Sequence, residues 1–108
     1  METIAKGKAS HASGYRTTAN GDYSISGGSS TQALGKNSIA LGTGNTASGN
    51  DSIALGGNSN GALRPNTASG TSSIAIGYNN QATGSLSLAG GSNCIASNSS
   101  AFAFGNGC

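Results

Sequence analysis

Apolar and polar residues alternate with the period of a β-strand in several short segments of the chain. In the segment 38–42, Ile39 and Leu41 point to one face, while the residues around them are only Ser, Ala and Gly. A glycine ends each such segment, and glycine suits the tight turn that must follow because it adopts positive φ without strain. The pattern predicts short strands separated by tight turns.

These segments recur with a period of seven residues along the chain. An alanine column precedes the glycine column by two residues in nearly every repeat. A coiled coil also has a heptad period, but a glycine in every heptad of a helix would cost about 1 kcal/mol each time. The columns therefore indicate a β-solenoid. The glycines of the column are Gly7, Gly14, Gly21, Gly28, Gly35, Gly42, Gly49, Gly56, Gly70, Gly77, Gly84, Gly91 and Gly105.

The full repeat is fourteen residues, because two kinds of segment alternate. Strong segments have large apolar residues on their outward face, such as Ile39 and Leu41, and weak segments have Thr, Ser, Asn or Gln there, such as Thr46 and Ser48. Each coil would contain one strong and one weak strand, around an interior that admits only small side chains. We predict an all-β solenoid of 14-residue coils, two short strands per coil, in a single domain over residues 1–108.

The main functional inference comes from the outward face of the strong segments. Stacked at about 4.8 Å per coil, roughly seven coils would align its side chains into an apolar stripe roughly 34 Å long on a thin rod. Monomers rarely expose such a patch, so we expect identical chains to associate side by side and cover it. The predicted interface residues are Ile25, Ile39, Leu41, Ile53, Leu55, Ile74, Ile76, Leu88, Phe102 and Phe104.

Composition supports this view and excludes several function classes. The chain has 19 Gly, 7% charged residues and a net charge of +2, so it cannot build a conventional core of large side chains. Its five cations are scattered along the sequence, which gives no basic stripe for nucleic acid. No apolar run reaches the roughly 18 residues of a membrane span, and residues 1–6 lack the apolar core of a signal peptide. We expect no nucleic-acid partner and no membrane insertion by this segment.

The repeated motifs resemble a known family. Ser-Ile-Ala-Leu-Gly at 38–42 and 52–56, and Ser-Ile-Ala-Ile-Gly at 73–77, alternate with Thr-Ala-Ser-Gly at 46–49 and 67–70. They resemble the YadA-type head repeat of trimeric autotransporter adhesins, and similar repeats occur in phage and viral tail fibres. The resemblance covers nearly the whole chain and implies a left-handed parallel β-roll. It also implies a homotrimer, with the Ile/Leu strands around a threefold axis.

The function that the resemblance implies is attachment. We expect a rigid, non-enzymatic fibre or adhesin head, extracellular, on a bacterial surface or a virion, that binds a host or surface protein or glycan. The alternative is a purely structural shaft or filament subunit, and ice binding through Thr/Ser ladders is a third, weaker hypothesis. Asp22 and Asp51 are too far apart for acid/base catalysis, and no cofactor motif is present in the sequence.

One insertion interrupts the fourteen-residue register. Ile53 and Ile74 are twenty-one residues apart, which places seven extra residues within 57–66. A protruding loop on a rigid scaffold is a common place for binding, so Arg64 and Asn66 are predicted ligand-binding residues. The alternative is a surface insertion that the solenoid merely tolerates.

Three further features have two interpretations each. His11 occupies the strong column, so three copies in a trimer would converge and hold a metal or an anion; alternatively, it packs at the end of the stack. Cys94 and Cys108 would lie on adjacent coils, either joined in a disulfide or acting as small apolar fillers. Phe102 and Phe104 are expected to plug the trimer axis, with a receptor-contacting tip as the alternative.

Overall fold

The computed structural model of the chain describes residues 3–57 and 65–108, where short and long β-strands alternate. The short strands are β1 (Ile4–Ala5), β3 (Thr18–Ala19), β5 (Gln32–Ala33), β7 (Thr46–Ala47), β9 (Thr67–Ala68), β11 (Gln81–Ala82) and β13 (Ile95–Ala96). The long strands are β2 (His11–Tyr15), β4 (Ile25–Ser29), β6 (Ile39–Thr43), β8 (Ile53–Gly56), β10 (Ile74–Tyr78), β12 (Leu88–Ser92) and β14 (Phe102–Asn106).

The strands form two parallel sheets, because each coil pairs with the next coil on both of its sides. The odd-numbered strands form a 7-stranded sheet, called here the short-strand sheet, and the even-numbered strands form a 7-stranded long-strand sheet. In the long-strand sheet Ile39 pairs with Ile25 on one side and with Ile53 on the other. This confirms the predicted all-β solenoid and shows that its strands are parallel, with about seven coils of fourteen residues.

The insertion leaves the stacking intact. Ile53 pairs directly with Ile74, and Thr46 pairs directly with Thr67, across twenty-one residues in each case. The seven extra residues therefore lie between β8 and β9, where the chain crosses from one sheet to the other. Most of that crossing falls outside the described residues.

The interior consists of small side chains, as the sequence predicts. Alanines of both sheets, such as Ala40 and Ala47, are fully buried, and the largest fully buried side chains are asparagines and threonines. Some serines at the turns form local hydrogen bonds: Ser38 Oγ donates to the carbonyl of Gly35 at 2.6 Å, and Ser52 repeats the bond to Gly49 at the same distance. In later coils the buried hydroxyls of Ser73 and Ser87, in the same column, have no hydrogen-bond partner among the described residues. Small residues allow the two sheets to lie back to back with little space between them.

The glycines permit the coils to stack closely. A Cβ added at Gly35 would overlap the carbonyl oxygen of Gly49 in the next coil. At Gly42 the backbone φ is 120°, a conformation that L side chains rarely adopt. The glycine column thus leaves room for the backbone of the next coil and also allows positive φ where the chain turns.

The single chain is a flat slab of 34 × 31 × 11 Å. The expectation of a thin rod is therefore wrong in one dimension. Each coil is broad along its strands and turns, and only its thickness is small, because its two strands lie back to back. The outer faces of the two sheets form the two broad sides of the slab. In the residues described, no helix has the length and apolar character that crossing a membrane requires.

Candidate functional site

The largest candidate site is the outer face of the long-strand sheet. The parallel register aligns its outward side chains from coil to coil, so Ile74 lies between Ile53 and Leu88. These three side chains are half-buried in the single chain, whereas other residues of the same face are exposed, such as Ile76 at 42% and Phe102 at 68%. The structure thus brings all ten predicted interface residues onto one face, which we call the apolar stripe: Ile25, Ile39, Leu41, Ile53, Leu55, Ile74, Ile76, Leu88, Phe102 and Phe104.

Glycines within the stripe make room for its larger members. A Cβ at Gly90 would overlap the ring of Phe104, and one at Gly27 would approach Leu41 Cδ2 at 3.1 Å. The ring centroids of Phe102 and Phe104 lie 4.8 Å apart in an edge-to-face arrangement at 72°. The stripe therefore ends, at the last coil, in an ordered pair of aromatic rings.

A ladder of buried asparagines lies along the turn that follows the long strands. Asn66 Nδ2 donates to the carbonyl of Leu55 at 2.8 Å and to that of Gly77 at 2.9 Å, and the backbone N–H of Asn80 donates to Asn66 Oδ1 at 3.0 Å. Asn66 is 0% exposed. The burial of Asn66 does not support the prediction that it binds a ligand, because its side chain satisfies buried backbone groups of neighbouring coils. Arg64, the other predicted ligand residue, lies outside the described residues.

This ladder was not predicted, although the sequence contains a signal for it. Asparagine recurs at 45, 66 and 80, in the position directly before a short strand, and Thr17 and Thr31 occupy the same place in earlier coils. A polar column in a chain with so little interior space indicates a hydrogen-bond ladder. The insertion interrupts the spacing of this column, so that Asn66 was assigned to the inserted loop.

The two cysteines continue the same column. Cys94 is buried, its backbone N–H donates to Asn80 Oδ1 at 2.9 Å, and its sulfur is bonded to that of Cys108 on the next coil. The two Cα atoms are 4.6 Å apart. The disulfide thus joins the last two coils at the column position where side-chain amides of asparagine join the preceding coils by hydrogen bonds.

His11 lies at the first coil, at the opposite end of the apolar stripe from the two phenylalanines. It pairs in register with Ile25 and is exposed. Within the described residues, no group of three His, Cys, Asp or Glu side chains is close enough to hold a metal ion. A metal at His11 would therefore need imidazoles from other chains.

The outer face of the short-strand sheet is mostly polar. Thr18, Thr46 and Thr67 are half-buried on it, and Gln32 and Gln81 are exposed. The row is irregular, and Ile95 at its end is 56% exposed. Its irregular alternation of residue types does not favour the ice-binding hypothesis.

Comparison with known families agrees with this geometry. The sequence profile of the YadA head domain repeat (2 copies) matches residues 5–31, 33–59 and 68–94. The chain belongs to this family. The gap between the second and third matches of the YadA head repeat falls where the extra residues lie.

YadA head domains are surface-exposed parts of bacterial outer-membrane adhesins, and they are structural domains without catalytic activity. The family therefore confirms that the protein is not an enzyme. The family also agrees with a role as an adhesin head. No curated protein matches the chain in sequence.

Proposed function

We propose that this YadA head repeat chain forms a trimer with left-handed coils, whose long-strand sheets pack around a common axis. The trimer is a rigid head on a bacterial surface, and it attaches the cell to a protein or glycan of another surface. The observation that supports this is the apolar stripe, which runs along the stack and whose ten residues are exposed or half-buried in the single chain. Soluble chains seldom leave such a surface in contact with water.

Identical chains are the simplest partners for the stripe. The stripe runs parallel to the stacking direction, so copies placed side by side meet it along its full length. Such packing would supply the core of large side chains that the single chain lacks. Phe102 and Phe104 would close the axis at the last coil, and three copies of His11 would meet at the first coil, where they can hold a metal or an anion.

The surfaces left outside would do the binding. In this trimer the short-strand sheet and the turns of the described residues face solvent. Each copy makes weak contacts with the target, and three copies on one rigid body act together as a multivalent binder. A rigid scaffold suits this arrangement because it keeps the sites at fixed separations.

Sedimentation equilibrium tests the assembly. The expected mass is three times the 10.3 kDa of the chain, without dissociation on moderate dilution. A mass equal to one chain would overturn the trimer and leave the apolar stripe unexplained. Mutation of His11 to Gln together with a metal chelator tests the axial site separately, and an unchanged thermal stability in both would remove it.

Binding screens on glycan and host-protein arrays test attachment. A variant without residues 57–63 restores the fourteen-residue spacing between Ile53 and Ile74, so the coils on either side should still pair. Loss of binding in this variant, with its thermal unfolding unchanged, would place the target on the insertion. Retained binding would place it on the short-strand sheet or the turns.

The competing function is that of a structural shaft, and one observation supports it. The stack has two open edges, β1 and β2 at one end and β13 and β14 at the other, and open edges can pair with further strands. Electron microscopy separates the two functions. Discrete particles at all concentrations favour a head, whereas filaments that lengthen with concentration favour a shaft.

A further inference from the structure

Charge is distributed very unevenly along the stack. Three of the five cations, Lys6, Lys8 and Arg16, belong to the first coil and are exposed. Residues 65–108 contain no Lys, Arg, His, Asp or Glu at all. The first coil therefore contains three of the five cations, whereas Lys36 lies two coils further along.

The three cations surround the first coil instead of forming one cluster. Lys6 follows β1 at the margin of the short-strand sheet, Lys8 lies in the turn before β2, and Arg16 follows β2 at the other turn. The Arg16 guanidinium carbon is 5.3 Å from the centroid of the Tyr15 ring, and this stacking holds the charge near the surface of the coil. Positive charge is thus available at both margins of the slab.

One described carboxylate, that of Asp22, lies on the next coil beside Lys8. Asp22 Oδ1 accepts the backbone N–H of Lys8 at 2.8 Å, so this carboxylate binds the main chain of Lys8. Asp51, three coils from the first, accepts from Asn37 Nδ2 at 2.9 Å. Glu2 lies outside the described residues. The described part of the first coil, residues 3–16, therefore has three cations and no carboxylate.

We propose that the first coil is a docking surface for a sulfated glycan chain of the glycosaminoglycan type. The proposal rests on the trimer and the attachment function, because three chains would surround one end of the head with nine cations, three from each chain. Lys and Arg bind sulfate through charge-assisted hydrogen bonds. An extended polyanion can reach cations that lie at separate margins of the coil, which a small anion cannot do.

A hydrated glycan fits this surface better than a lipid bilayer does. Membrane binding needs a buried apolar anchor in addition to basic charge. The exposed large apolar residues of the first coil, Ile4 and Tyr15, stand apart on different strands, and Ile4 is only 37% exposed. The first coil thus has basic charge but no apolar patch that could insert into a bilayer.

The test is binding of the whole chain to immobilised heparin at several salt concentrations. We expect the affinity to fall steeply as salt rises from about 0.05 to 0.5 M, because bound sulfates displace counterions. The triple variant K6Q/K8Q/R16Q should bind roughly tenfold more weakly or worse. The matched control is K36Q: Lys36 lies in the same turn column as Lys8, two coils along, and its removal should change the affinity by less than about twofold.

Each outcome is decisive. Equal binding to desulfated heparin, or an equal effect of K36Q, would overturn the proposal. Tighter binding to duplex DNA of the same charge, or to vesicles rich in anionic lipid, would assign the surface to a different partner and also overturn it. A chain that sediments as a trimer but ignores heparin contradicts only this inference. A chain that sediments as a monomer contradicts the proposed function, whatever it binds.

Discussion

Asn66 donates its backbone N–H to the side-chain oxygen of Asn45, twenty-one residues earlier, at 2.8 Å. The contact spans the insertion, so one hydrogen bond joins the last coil before the extra residues to the first coil after them. The Nδ2 of Asn66 reaches the same oxygen at 3.2 Å. Asn66 therefore fixes the register at the place where the sequence period breaks.

Replacing Asn66 by Ala should destabilise the protein by about 3 kcal/mol, because the carbonyls of Leu55 and Gly77 would lose a buried donor. The matched control is Asn20→Ala, an exposed asparagine on the short-strand side, which should cost less than about 0.5 kcal/mol. Urea unfolding at a fixed chain concentration measures both. Equal losses of unfolding free energy in the two variants would show that the asparagine ladder stabilises the fold no more than an exposed asparagine does.

The coil architecture could be predicted from sequence because its constraints are local and repeated. A Cβ at the column glycines meets backbone of the next coil, so glycine recurs at each step, as at Gly35 and Gly49. The interior admits only small residues, so alanine recurs as well. Each repeat thus provides independent support for the same period, and one insertion does not hide it.

The candidate sites were less predictable, since they depend on which columns meet in space. Asn66 belongs to the buried ladder, although its neighbours in sequence belong to the inserted loop. Lys6, Lys8 and Arg16 lie within eleven residues, so the fourteen-residue period places them on one coil, and the structure adds which margin of the coil each one occupies. The partner of the apolar stripe depends on contacts between chains, and the fold of one chain does not determine those contacts.

The glycine column offers a sharp steric test. Gly35→Ala should destabilise the fold by about 3 kcal/mol, because the new Cβ would overlap the carbonyl oxygen of Gly49. Asn98 occupies the same column and already has a Cβ; in the part of the chain that the structure describes, no coil is stacked beyond it. Asn98→Ala should therefore leave the thermal midpoint nearly unchanged. Comparable losses at the two positions would contradict the stacking constraint.

The bond between Cys94 and Cys108 should hold the last long strand in place. A disulfide that closes a loop of this length stabilises by about 3 kcal/mol in the chain-entropy account. Reduction, or the double variant Cys94→Ser with Cys108→Ser, should speed amide exchange in β14 while leaving β4 protected. Hydrogen exchange followed by mass spectrometry resolves the two strands. Equal acceleration in both would mean that the bond stabilises the whole stack rather than its end.

The apolar stripe makes the most direct prediction about assembly. Ile76→Asp should dissociate the proposed trimer, because three carboxylates would be forced together at a dry interface, and burying unpaired charge costs several kcal/mol. The single chain should remain folded, since Ile76 is 42% exposed and its loss leaves the alanine interior untouched.

Gln81→Asp is the control for Ile76→Asp, because it introduces the same charge on the opposite broad side, where Gln81 is exposed. It should keep the trimer mass in sedimentation, and circular dichroism should show β-structure in both variants. If Ile76→Asp sediments like the control, the stripe is not the interface. If Gln81→Asp dissociates the assembly instead, the chains pack through their short-strand sheets, and the proposed arrangement is reversed.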